Sequence, residues 1–347
     1  MTLRDFFKTA IDRNASDLFL VSQAVPSLRV NTHIEPINHE LLTHDYLTEE
    51  VQKIMAPDQW KKFIDSREYD FSYEYFGKRF RVNLHFQRGQ IAIAARLISN
   101  LSPNPASLGF TDVMYNITRL RDGLILVTGP SGSGKSTSLA AMINIINQER
   151  DAHIITIEDP IEYVFENDKC LIEQRELGSD TLSFADALKY SLRQDPNIIM
   201  VGEMRDPETM AAALTAAETG HLVLSTLHTA STPDTIFRIV DSFPPYQQQQ
   251  VLNQLAASLR AVIGQQLLPK KGGGLIAAFE IMLNNQATAN LIRRSQVGQI
   301  MSIIQTSSKD GMIPMNKSID QLVERSLVEP STAETRKRNL ETQASYY

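Results

Sequence analysis

Nine consecutive residues carry the strongest chemical signal in the chain. Gly129, Pro130, Ser131, Gly132, Ser133, Gly134, Lys135, Ser136 and Thr137 satisfy the spacing G-x-x-x-x-G-K-[ST]. The glycines let the backbone curl so that several N–H groups converge on one anion, and a helix beginning at the lysine adds its positive end. That suits the phosphates of a nucleotide such as ATP. Lys135 is expected to reach the β and γ phosphates, and Ser136 to ligate Mg2+. The apolar run Leu124-Ile-Leu-Val-Thr before the loop supplies the required strand, which disfavours a bare glycine turn.

A phosphate site needs carboxylates to hold the metal and to polarise water, and two acidic segments lie downstream. One is Thr156-Ile-Glu-Asp-Pro-Ile-Glu162. The other is Asn197-Ile-Ile-Met-Val-Gly-Glu203, an apolar strand pattern ending at the sheet edge where ligands of parallel sheets collect. Glu203 is placed to organise water or magnesium. Gly202 stands where such strands more often carry Asp, so Glu158 and Glu162 are candidates to make up the charge. Asp159-Pro160 also reads as an ordinary turn initiator. His221 and His228 flank the apolar run Leu222–Leu227, and a spacing of seven directs them to opposite faces, which disfavours a metal pair. Packing or hydrogen bonding is the competing role for each.

These groups must be positioned by folded elements, and the chain of 347 residues is long enough for two domains. Residues 99–109 hold two prolines, three serines and a glycine, which reads as a linker between domains at 1–98 and 110–330. In the first domain, Leu3–Arg13 is an expected helix, Asp17–Leu20 a strand, and Glu49–Ile64 a helix carrying Trp60, expected as a core anchor. Tyr69–Tyr75, Arg79–Gln87 and Gln90–Ile98 alternate polar and apolar residues and read as an antiparallel meander. The second domain alternates strand and helix: Gly123–Thr128, Ser136–Asn147, His153–Glu158, Phe184–Leu192, Ile198–Val201, Pro207–Thr219, Leu222–Thr226. That order predicts a mostly parallel sheet covered by helices, with Leu275–Leu283 as an edge strand. Residues 331–347 read as a polar, mobile tail whose Arg336-Lys337-Arg338 is a solvated face.

With 42% hydrophobic and 21% charged residues, the composition excludes a disordered or fibrous chain. No apolar run approaches a membrane span and no signal-peptide pattern opens the chain, so a cytosolic protein is expected. Cys170, the single cysteine, excludes an internal disulfide or a cysteine zinc cluster. A net charge of −6 disfavours direct nucleic-acid binding and makes protein partners the default.

The phosphate loop, the Ile-Thr-Ile-Glu-Asp-Pro-Ile-Glu segment, Val-Gly-Glu-Met-Arg-Asp, and Glu218-Thr-Gly-His-Leu-Val-Leu-Ser-Thr-Leu-His228 together resemble the type IV pilus retraction ATPases, PilT and PilU, of the secretion ATPase superfamily. The resemblance implies an α/β fold, with a RecA-like P-loop ATPase domain preceded by a small α+β PAS-like domain. It implies a hexameric ring that hydrolyses ATP with Mg2+ beneath the inner-membrane platform protein of a pilus machine. By the same resemblance Glu162 is the general base, Glu203 the Walker B glutamate, and His221 and His228 contact or sense nucleotide. Arg81 and Arg96 lie on strand patterns similar to those where the family carries nucleotide-facing arginines; a solvated strand face is their alternative. One departure bears on the role. The family's Ala-Ile-Arg-Asn-Leu-Ile-Arg-Glu motif reads Ala287-Thr-Ala-Asn-Leu-Ile-Arg-Arg294 here, losing the first Arg and the final Glu. That leans towards an accessory paralogue acting with another retraction ATPase. A nucleotide-gated interaction protein with little hydrolysis, or an ATPase of a secretion system, are the other readings. One cysteine leaves no zinc insertion of the assembly type, so an extension motor is not expected.

Overall fold

The computed structural model describes residues 1–98 and 103–337. Part of the expected linker, 99–102, and the tail beyond Lys337, including Arg338, lie outside the described residues; residues 105–109 form a turn. Contacts divide the chain into an N-terminal unit, with which Glu162–Val164 cluster, and a C-terminal unit.

The N-terminal unit comprises α1 (Leu3–Asp12), β1 (Asp17–Val21), β2 (Ser27–Val30), β3 (His33–Pro36), α2 (His44–Gln52), α3 (Pro57–Ser66), β4 (Glu68–Tyr75), β5 (Lys78–Gln87) and β6 (Gln90–Leu97). Helix α1 starts in a capping box: the Thr2 N–H donates to Asp5 Oδ2 at 2.7 Å and the Asp5 N–H to Thr2 Oγ1 at 3.3 Å. Its apolar stripe Leu3, Phe6, Phe7 and Ala10 is fully buried. Phe7 meets Phe80 of β5 edge to face at 4.7 Å, fixing helix to sheet. The strands form one antiparallel sheet in the order β3-β2-β1-β6-β5-β4. Two differences from expectation appear. The helix expected over Glu49–Ile64 is two helices, because Pro57 offers no N–H and drives Ala56 to extended backbone, making it the N-cap of α3. Strands β2 and β3 also exceed the pattern: both are short, and β3 is exposed throughout. Trp60 packs partly buried against this core, 5.5 Å from the Phe63 ring.

The C-terminal unit contains α4 (Asp112–Thr118), β7 (Gly123–Thr128), α5 (Lys135–Glu149), β8 (His153–Glu158), β9 (Leu171–Glu176), α6 (Phe184–Ser191), β10 (Ile198–Val201), α7 (Pro207–Glu218), β11 (Leu222–Leu227), α8 (Thr232–Asp241), α9 (Pro245–Ser258), β12 (Leu259–Pro269), β13 (Leu275–Leu283), α10 (Gln286–Arg293), α11 (Ile300–Thr306), α12 (Met315–Glu324) and α13 (Pro330–Glu334). The sheet runs β13-β12-β7-β11-β10-β8-β9, parallel throughout except for β13 at one edge. Strands buried on both faces need apolar residues at every position, which is why β7, β10 and β11 read as continuous runs. Ile125 and Val127 pack beneath Leu139, Met142 and Ile143 of α5. Leu124 and Leu126 face the opposite layer with Ala213, Leu214 and Leu255 of α7 and α9. The tail expected from Ser331 begins instead as part of α13. Ala333 inserts among Leu268, Met315, Ile319 and Val328, so apolar burial holds this polar segment. Among the described residues no helix is long and apolar enough to cross a membrane.

Candidate functional site

The loop from Gly129 to Gly134 joins β7 to α5 in a backbone path that glycine alone permits. At Gly129, φ is +148° and a Cβ would stand 2.5 Å from the Gln265 carbonyl; at Gly134, φ is +85° and a Cβ would stand 2.9 Å from Gln265 Nε2. Helix α5 runs 15 residues, and among the described residues no side chain caps its start at Gly134. Its positive end therefore opens into the loop. Lys135 folds back over that loop, donating from Nζ to the carbonyls of Gly129 and Pro130 at 3.0 Å each. Gln265 of β12 braces the underside: its Nε2 donates to the Ser133 carbonyl at 2.8 Å and its Oε1 accepts from Ser138 Oγ at 2.8 Å. Ser133 Oγ is buried with no hydrogen-bond partner among the described residues. An anion cradled by the loop fits this donor set.

Glu203 and His228 follow the carboxyl ends of β10 and β11, on the same sheet edge as the loop. Glu203 is nearly buried, pairs with Arg205, and has His228 Nε2 3.7 Å from its other oxygen. Burial and the Lys135 ammonium hold the His228 imidazole below its ordinary pKa; Glu203 pulls the other way and Arg205 adds to the depression. The neutral ring is the favoured form. Arg205, quoted within a motif but assigned no role from sequence, is thus part of the site, as is Gln265. Glu158 ends β8 buried, accepting from Thr156 Oγ1 at 2.7 Å and Gln174 Nε2 at 3.1 Å. A physical reason now exists for Gly202 where Asp is commoner. A Cβ there would meet the Ile157 carbonyl at 3.3 Å and the Glu158 Cα at 3.5 Å, because β8 and β10 close tightly at that point. Among the described residues no cluster of three or more His, Cys, Asp or Glu could hold a metal alone. Magnesium, which typically arrives with phosphates and takes only one or two protein ligands, fits the donors Ser136 and Glu203.

The other expected site residues lie elsewhere. Seven residue steps, roughly 23 Å along a strand, separate His221 from His228, so His221 sits on the opposite edge of the sheet. There it caps α7. Its N–H donates to the Ala216 carbonyl at 3.2 Å, completing a Schellman turn around Gly220 at φ +102°, and its Nδ1 donates to the same carbonyl at 3.0 Å. Within this chain His221 therefore lies away from the phosphate loop; spacing set both histidines beside one strand without distinguishing its two ends. Glu162 is solvent-exposed in the loop after β8. Arg81 and Arg96 lie in the N-terminal unit, directly opposite each other in the β5–β6 register and so on one face. Arg96 Nε donates to Asp17 Oδ1 at 2.9 Å, Arg29 shares the other Asp17 oxygen at 3.2 Å, and Arg81 is 4.0 Å from Asp70. Cys170 is buried, its thiol donating to the Arg150 carbonyl at 3.0 Å, and burial raises its pKa.

Residues 90–328 match the family described as Type II/IV secretion system protein. The chain is 44% identical to the type IV pilus retraction ATPase PilT of Pseudomonas aeruginosa over 96% of this chain and 97% of that protein. It is 36% identical to the type IV pilus ATPase PilU of the same organism, covering 93% of this chain and 85% of that one. Among solved structures, the pilus retraction motor PilT with bound ADP superposes with a TM-score of 0.90 at 42% identity, covering 99% and 98% of the two chains.

Proposed function

This chain belongs to the type II/IV secretion system protein family, and on that premise we propose that it is a cytoplasmic, Mg2+-dependent ATPase working as a hexameric ring that retracts a type IV pilus. The observation that carries this reading is the glycine loop opening on an uncapped α5, with Lys135 folded across it and Glu203 and His228 on the same sheet edge. Likeness to PilT over nearly the whole chain supports the retraction role. Lys135 and the loop N–H groups hold the phosphates and fix the terminal one for attack. Glu162 takes the proton of the attacking water, and Glu203, paired with Arg205, orients that water. Ser136 and Glu203 would hold Mg2+, which would neutralise phosphate charge. Arg81 and Arg96 of one copy stabilise the developing charge on nucleotide held by its neighbour, and the placement of two like charges directly opposite each other, a cost to the sheet, supports that use. The ring transmits force to the inner-membrane platform of the pilus, with no direct nucleic-acid contact.

A second reading has one observation in its favour. In α10 the family's arginine position holds the nearly buried Ala289, and its final acidic position holds Arg294, which suits an accessory subunit assisting a paralogous retraction ATPase. Steady-state phosphate release from the purified protein tests both. Wild type should hydrolyse ATP, and Glu162→Gln and Glu203→Gln should each bind ATP while releasing phosphate at least about 100-fold more slowly. Absence of wild-type hydrolysis would favour the accessory role, and normal release by Glu162→Gln would remove it as the base.

A further inference from the structure

Four residues stand in one register row across the N-terminal sheet: Arg29 of β2 opposite Asp17 of β1, Asp17 opposite Arg96 of β6, and Arg96 opposite Arg81 of β5. Residues directly opposite each other share a face, so three guanidiniums and one carboxylate line up there. The carboxylate is the buried member, its side chain 9% exposed, and it takes both neighbours by their Nε atoms, Arg96 at 2.9 Å on Oδ1 and Arg29 at 3.2 Å on Oδ2. The two arginines are then used differently. Arg29 is tied down at its other end, with Nη1 donating to the Thr32 carbonyl at 3.5 Å and the guanidinium carbon 5.3 Å from the centre of the Phe19 ring. The Arg96 side chain is 71% exposed, and among the described residues its terminal nitrogens make no hydrogen bond.

A guanidinium gripped at Nε keeps its Nη1–Nη2 fork for a bidentate contact with an anion such as phosphate. Asp17 is itself fixed from the other side, by Arg29 and by Ser16 Oγ, which donates to Oδ2 at 2.9 Å. The grip on Arg96 therefore starts from an immobile point. Resting on the reading that Arg96 of one copy serves nucleotide held by its neighbour, we infer that Asp17 is the positioning residue of Arg96. It holds Nε against the sheet and presents the fork outward to phosphate.

Steady-state phosphate release from the full chain, with kcat and KM for ATP resolved, tests this through a double-mutant cycle. Asp17→Asn sets an amide donor among the Nε donors and should free Arg96 from its place. Its kcat should fall about tenfold, within the roughly 100-fold that a misplacement of about 1 Å can cost, while KM changes less than about twofold. Arg96→Ala should be slower still, and Asp17→Asn combined with Arg96→Ala should be no slower than Arg96→Ala alone, since nothing is left to position. Losses that multiply in the double variant would overturn the proposal, as would full kcat in Asp17→Asn beside a slow Arg96→Ala. Full kcat in Arg96→Ala would instead remove the inter-subunit arginine reading, and this inference with it. Mixing adds a readout that a role in local folding would not move. Asp17→Asn and Lys135→Ala copies together should exceed the sum of their separate rates, because some interfaces then join an intact arginine row to an intact phosphate loop. No such excess, with subunit exchange demonstrated, would overturn the proposal. If Asp17→Asn does not fold, Asp17→Glu, which keeps the charge and moves it by one methylene, takes its place under the same criteria.

Discussion

His228 and His221 bracket the same strand, β11, yet one meets Glu203 within 3.7 Å while the other bonds the carbonyl end of its own preceding helix. The contrast follows from the parallel sheet. At the carboxyl ends of the strands, loops lead into helix N-termini, and the uncapped start of α5 brings positive potential there. Across the sheet, helices arrive by their C-termini, and the end of α7 brings the opposite sign. The depression beside His221 mixes Arg121 and Arg150 with Asp122, Asp151 and Asp195. Its arginine Arg150 is spent on the Leu120 carbonyl at 2.9 Å, and Asp122 on Arg260. One edge is arranged to receive an anion and the other to finish helices.

The largest expected effect tests that division directly. His228→Ala removes the ring facing Glu203 and Lys135, and phosphate release per bound nucleotide should fall about 100-fold. His221→Ala, assayed the same way, should change release by less than about twofold. Equal losses in the two variants would break the comparison.

Glycines at the two edges sharpen it further. Gly134 and Gly220 both sit at helix ends with positive φ, +85° and +102°. An alanine at Gly134 adds a clash with the Gln265 amide to its strain, whereas among the described residues nothing lies within 4 Å of a Cβ at Gly220. Gly134→Ala should therefore lower nucleotide affinity about tenfold together with stability. Gly220→Ala should cost only the left-handed backbone penalty of about 1–2 kcal/mol, with affinity intact. Nucleotide titration alongside thermal unfolding distinguishes them, and a normal affinity in Gly134→Ala would count against the loop as the working phosphate cradle.

Much of this edge was legible in the chain because its signals are local. The bounds of β7, β8 and β10 coincide with apolar runs, and α7 starts at Pro207 behind an adjacent capping residue, the Thr209 N–H donating to Asp206 Oδ1 at 2.8 Å. What escaped depends on distant partners. Gln265 reaches Ser133 across 132 residues, so nothing nearby in sequence marks it as part of the phosphate loop. Strand β12 follows α9 with no turn residue between Ser258 and Leu259, and period alone does not divide them. Arg336 looked like part of a solvated basic run, since the burial of Ala333 that anchors its segment is a tertiary fact. A spacing of seven fixes the parity of the two histidine side chains at β11 and leaves open which end of the strand each one serves.

The smallest expected effect concerns stability at the quiet edge. His221 satisfies the Ala216 carbonyl twice, through its own N–H at 3.2 Å and through Nδ1 at 3.0 Å. His221→Ala keeps the backbone bond and loses the ring bond, so the helix end remains closed but one carbonyl becomes less well satisfied. A single hydrogen bond at a partly exposed position contributes about 0.5–1.5 kcal/mol, which in a domain of this size lowers the melting temperature by about 1–6 °C. The same should hold with and without ATP, because the ligand-induced rise in melting temperature reports affinity at the other edge. Calorimetry of the full chain at saturating and zero nucleotide measures both quantities at once. A ligand-induced rise that shrinks in His221→Ala, with little change in the nucleotide-free melting temperature, would return this histidine to nucleotide binding and require that a neighbouring copy bring the two edges together.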